Sequence, residues 1–236
     1  MMNGMQLPKI DPVNKVIIIC LVTLFVLNGF SGFAGLSLYN YMSLSLEQLI
    51  SGKVWTLFTY PLLPGGLIEL IFNALIIWFI GSELSLMWGK NRYLQFIGAT
   101  MMGAAFTTLA IQAFNFAPMT STLAGASAFC SALCVAYGIL NPERTMYFFF
   151  FPLQAKWFVI ILVGMNLYNG IFSPGGVLAW SQLGAMASGY AWMIWISKNG
   201  ASTGPKRRKK VNKGHLSIVK SPLEQEEPEE DKPTYH

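Results

Sequence analysis

TLAGASAFCSALCVAYGIL, residues 122–140, carries no charged side chain and reaches the roughly 20 apolar residues that cross a bilayer core, yet it sets Ser127 near its start. Val16–Gly35, Leu67–Met87, Tyr93–Phe114, Trp157–Phe172 and Val177–Ser197 meet the same test. With 53% hydrophobic and 11% charged residues, the chain reads as an all-α polytopic membrane protein, a six-transmembrane-helix bundle.

Orientation follows from the basic residues, which are retained on the cytoplasmic side. Lys9 and Lys15 precede the first span, Lys90 and Arg92 separate the second and third, and Arg144 and Lys156 separate the fourth and fifth. Lys206-Arg207-Arg208-Lys209-Lys210 follows the sixth, whereas the intervening loops hold only Lys53. Both termini are therefore expected in the cytoplasm. The first span is read as retained, because its cleavage as a signal peptide would leave an odd number of spans and strand the basic tail outside. The domain reading is an N-terminal cytoplasmic segment over 1–14, a membrane domain over 15–198 and a cytoplasmic tail over 199–236. The tail turns from basic to acidic and proline-rich at Glu224, Glu226, Glu227, Glu229, Glu230 and Asp231, a composition expected to stay disordered. Its basic cluster, Lys206 to Lys210, reads either as a contact for anionic lipid headgroups or simply as a topology determinant. Positive-inside charge accounts for the cluster, so no nucleic-acid partner is expected.

The connection from Ser37 to Gly66 is too long for a tight hairpin. Leu44-Ser45-Leu46-Glu47-Gln48-Leu49-Ile50 followed by Val54-Trp55 suits a short amphipathic helix in the membrane interface, giving a long interfacial first loop. Between the fourth and fifth spans, Tyr147-Phe148-Phe149-Phe150-Phe151 before Pro152 suits the headgroup level. Cys20, Cys130 and Cys134 lie in apolar spans and read as packing residues. No metal-ligand cluster, nucleotide fingerprint or P-loop is present, so neither a metal nor a cofactor is expected.

Asn73, Ser127 and Gln182 each lie about six residues into spans of one direction, roughly 9 Å deep. Glu69 stands one turn before Asn73 on the same face. Buried polar groups at one depth read either as the lining of a cavity or as hydrogen-bonding glue between helices. Ala124, Ala128 and Ala132 on the fourth span, and Ser181, Ala185 and Gly189 on the sixth, predict close packing of those two helices, which would bring Ser127 towards Gln182.

These residues resemble motifs of the rhomboid family of intramembrane serine proteases, and the likeness runs from about Trp55 to Ile196. Glu69-Leu70-Ile71-Phe72-Asn73 is similar to the family's second-span His-x-x-x-Asn, with Asn73 kept and Glu69 in place of the histidine. Gly125-Ala126-Ser127-Ala128 is similar to Gly-x-Ser-Gly, with Ser127 at the nucleophile. Gln182-Leu183-Gly184-Ala185-Met186-Ala187-Ser188-Gly189 resembles His-x-Gly-Gly-x-x-x-Gly, with Gln182 at the catalytic histidine's place. Gly81-Ser82-Glu83-Leu84, Trp88-Gly89, Pro152 and Ala155-Lys156-Trp157 add to the likeness.

The resemblance implies a Ser–His dyad with an oxyanion region built from the second-span pair. This chain has 2 histidines, His215 and His236, both in the tail, so the membrane region holds Ser127 without an imidazole base. The amide of Gln182 cannot take and return a proton, and Glu69 places negative charge where an oxyanion needs donors. The expected function is that of a pseudoprotease, which binds transmembrane helices of client proteins without cutting them. A fifth span softened by Gly164, Asn166 and Gly170 is expected to admit the client. The alternatives are a rhomboid serine endopeptidase with Ser127 as nucleophile and an unusual base, and, more distantly, a transporter or channel.

Overall fold

The computed structural model describes residues 10–33, 37–148, 151–173 and 176–200. The tail from 201, including Lys206 to Lys210, lies outside the described residues, as do Lys9, Phe149 and Phe150. The architecture that follows belongs to the compact unit Met1–Ser197.

Helix α1 (Pro12–Phe33) leads to a folded connection that holds three short helices, α2 (Tyr39–Met42), α3 (Leu46–Ile50) and α4 (Thr56–Thr59), and a single 3-10 turn, Tyr60–Leu62. Helix α5 (Leu67–Ile76) runs through a π-helical turn, Ile77–Gly81, into α6 (Ser82–Trp88). Gly89, at φ 81°, breaks the helical path before α7 (Lys90–Ala113). Then come α8 (Ser127–Leu140), a hairpin of β1 (Thr145–Phe148) and β2 (Phe151–Gln154), α9 (Ala155–Phe172) and α10 (Val177–Gly200).

Among the described residues, four helices are long and apolar enough to cross a membrane: Pro12–Gly32, Leu67–Trp88, Lys90–Ala113 and Ala155–Phe172. The helix α8 is apolar but has only 14 residues, or about 21 Å at 1.5 Å per residue. Its predicted start at Thr122 is corrected to Ser127, because the chain before it is extended. The spans are helical as expected, and the small antiparallel hairpin, with Thr145 opposite Gln154 and Phe148 opposite Phe151, is the exception to an all-α chain.

The core is built around α8. Every side chain from Ala128 to Gly138 is buried, against α5, the π turn, α7 and α9. Small residues permit this crowding: a Cβ on Gly138 would lie 2.3 Å from Val159 Cγ2 of α9. At the end of the bundle where α6 meets α7, the start of α1 is pinned by a buried polar cluster. Asn14 donates to Ser82 Oγ (3.2 Å) and accepts from Tyr93 Oη (2.8 Å), while Ser85 Oγ donates to Asp11 (3.0 Å). Glu83 of α6 accepts from Tyr137 Oη (3.1 Å) and pairs with Arg144, tying α6 to the far end of α8.

The first loop is held by backbone pairing. Leu44 and Leu123 exchange antiparallel hydrogen bonds (2.8 and 2.7 Å), and Gly125 N donates to Tyr60 O (2.8 Å). Ser45 caps α3 by accepting from Gln48 N (3.2 Å). Gln112, fully buried near the end of α7, accepts from Leu46 N (2.7 Å) and donates to the carbonyls of Ser121 and Pro118. Tyr41, Ile50, Val54, Trp55 and Phe58 remain exposed on this loop, consistent with an interfacial location.

Gln112→Met keeps the volume of the side chain but leaves buried backbone groups on both sides without partners. It is expected to lower stability by about 2–4 kcal/mol, read as thermal unfolding in detergent. The same change at exposed Gln95 is expected to move stability by less than about 0.5 kcal/mol.

Candidate functional site

Ser127 is the first residue of α8, so its depth is set by the extended segment before it rather than by a preceding helical turn. Gly125 makes that approach possible. Its φ of 93° lies in the left-handed region, and a Cβ there would come within 2.1 Å of Glu69 Oε1. Glu69 therefore rests against the backbone two residues before Ser127. The same carboxylate accepts from Gly65 N at Oε2 (3.0 Å) and from Asn73 Nδ2 at Oε1 (3.3 Å). The pair four residues apart on one helical face is thus hydrogen-bonded, and Asn73 is buried beneath it.

Beyond Ser127 the polar contacts run along α8. Ser131 Oγ donates to Ser127 O (2.8 Å) and lies 3.3 Å from Gln182 Oε1. Cys130 Sγ approaches Asn73 O at 3.9 Å. Gln182 and Asn73 thus each contact the turn of α8 that follows Ser127. The Ser127 hydroxyl itself is buried and has no hydrogen-bond partner among the described residues.

The stripe Ser181, Ala185 and Gly189 on α10 is buried, and Gly189 with Gly184 and Ser188 packs on α7. A Cβ on Gly103 would lie 2.0 Å from Ser188 Oγ and 3.0 Å from Gly184 O, and one on Gly184 would lie 2.0 Å from Thr107 Oγ1. Gly189 faces Thr100 and Phe96 in the same way, and Trp88, Phe96 and Trp192 cluster with centroids 5.1–5.5 Å apart. The signal overlooked in the sequence is Gly103 and Thr107, a second pair of small residues at four-residue spacing. Ser131 was legible too, since it stands four residues after Ser127 and shares its face.

Helix α9 touches α8 mainly at its start, where Ala155 is fully buried, and leaves Ile160, Met165, Tyr168 and Phe172 exposed. Gly164 has open space around it, whereas Gly170 is covered by Trp180, whose Nε1 donates to Gly170 O (2.9 Å). Asn166 turns its amide back onto Leu162 O (2.9 Å).

These features define a helical membrane protein with a serine at the start of a short, central helix that is entered from an extended segment. A family model described as Rhomboid domain matches residues 51–199. The chain therefore belongs to the rhomboid family and is an integral membrane protein. A search of curated proteins finds no match.

Gly125→Ala is expected to cost about 1–3 kcal/mol, from its positive φ and from the collision with Glu69 together. In a Glu69→Ala background the steric part disappears while the backbone part remains. A double-mutant cycle on thermal unfolding is therefore expected to show positive coupling, and purely additive losses would contradict the packing of Glu69 on Gly125.

Proposed function

We propose that this rhomboid-family protein binds transmembrane segments of client proteins without cleaving them. The observation that carries the reading is the environment of Ser127. Its hydroxyl has no proton acceptor in reach, because the residue at the family's histidine position, Gln182, is an amide paired with Ser131. Glu69 supports the same reading. Its carboxylate occupies the oxyanion side, where a developing negative charge would be repelled, and it engages one of the amide protons of Asn73. What remains is a set of polar groups, Glu69, Asn73, Ser127 and Gln182, inside an apolar bundle, suited to meet backbone or side-chain groups of a partly unwound client helix. The sparsely covered helix α9, with open space at Gly164, suits lateral admission.

In this proposal α8 and α10 complete a six-span bundle with both termini cytoplasmic, as the basic loops require. The cluster Lys206 to Lys210 would then meet the cytoplasmic leaflet, where each basic residue contributes about 1 kcal/mol with anionic lipids.

Retention of Ser127 is what favours the alternative, a serine endopeptidase with an unusual base, and labelling separates the two. Incubation with a fluorophosphonate probe is expected to leave Ser127 unmodified and a model transmembrane substrate uncut. Labelling that vanishes in Ser127→Ala would establish the protease instead. Restoring chemistry would require at least Gln182→His, Ala128→Gly and Glu69→His together, since base, backbone freedom and oxyanion donors are all altered.

Topology has its own check. Protease added to the cytoplasmic side of sealed vesicles is expected to remove the tail, and protection there with cleavage from the opposite side would refute the orientation.

A further inference from the structure

We propose that the Glu69 carboxylate receives a basic side chain, Lys or Arg, from the client's transmembrane segment. This rests on the client-binding reading above and adds the client's chemistry to it. Glu69 has two hydrogen-bond donors, Gly65 N and Asn73 Nδ2, and no cationic partner among the described residues. A carboxylate offers about four acceptor positions, so roughly half remain open. The donors hold the group in place without neutralising it. The backbone of the Gly125 segment lies against Oε1 and brings no charge to it.

An acid in a membrane domain is costly unless paired, and a cation from outside the chain is the complement this site lacks. The position along the helix suits such a partner. Glu69 is in the first turn of α5, so a client's basic residue would sit within about one turn, or roughly 5 Å, of the matching end of its own span, where a long side chain keeps its charge near the interface. Ile68, the exposed neighbour of Glu69 on α5, supplies apolar surface for the stem of that side chain.

The test uses the full chain in lipid vesicles and synthetic single-span Leu/Ala helices that carry a photo-crosslinker. One helix bears Lys a turn from the end that matches the start of α5, a second bears Met there, a third bears Glu, and a fourth bears Lys at the opposite end. The first is expected to crosslink about tenfold more than the others. Glu69→Gln is expected to erase that preference, and Glu69→Lys to move it to the Glu helix. Equal crosslinking of the Lys and Met helices to the unmodified protein overturns the proposal and leaves the client-binding reading standing. This comparison needs no variant to fold. A preference that survives Glu69→Gln also overturns it. Absence of crosslinking to every helix overturns the client-binding reading itself, and this inference with it.

Discussion

A membrane offers no water to an unpaired peptide group, so a chain that leaves its helix inside a bundle has to find protein partners for every N–H and C=O. The segment before α8 meets this demand through three attachments: the Leu44–Leu123 exchange, the Gly125 N bond to Tyr60 O, and Gln112, which bridges the first loop and the segment after α7. Tyr60 is in turn fixed by its hydroxyl on Met101 O of α7 (2.9 Å). Because of these bonds α8 can begin at Ser127, buried among its neighbours rather than at the surface. A helix of 14 residues is too short to cross the bilayer core alone. The long first loop is thus a structural partner of the central helix as well as an interfacial element.

The same arrangement explains the electrostatics of the site. An extended approach with a left-handed glycine leaves no Cβ between Gly125 and α5, and the vacant space is taken by the Glu69 carboxylate. At this position a histidine would present donors, whereas a carboxylate accepts them. The substitution therefore reverses the polarity of the region while preserving its packing, since Gly65 N and Asn73 hold the carboxylate firmly. A carboxylate there accepts hydrogen bonds and is complementary to donors rather than to a second negative charge.

Much of this was readable from residue order. The apolar runs fall on long helices within a few residues of their expected limits, because length and hydrophobicity alone decide which segments enter a bilayer. The Glu69–Asn73 pairing followed from helical spacing, and the missing histidine was plain from composition. What the sequence concealed depends on contacts between distant segments. Thr122 to Ala126 is apolar enough to pass for the start of a helix, but Leu123 pairs with Leu44, Gly125 bonds to Tyr60 and the helix begins only at Ser127. Small-residue stripes marked which face of α10 is buried but not which neighbour it meets, since Ala128 and Gly103 are both small and the choice rests on how Ser188 and Thr107 interlock with the glycines. The hairpin at Thr145–Gln154 was hidden inside an aromatic run that reads equally as an interfacial loop.

The contact of α10 with α7 bears directly on what the site can become. Backbone-to-backbone approach at Gly103 and Gly184, two residues beyond Gln182, fixes α10 against a helix that the first loop already anchors. Gln182 Oε1 lies 3.3 Å from Ser131 Oγ, so α10 is held against α8 as well. The position of α10 is thus set by its contacts with both α7 and α8.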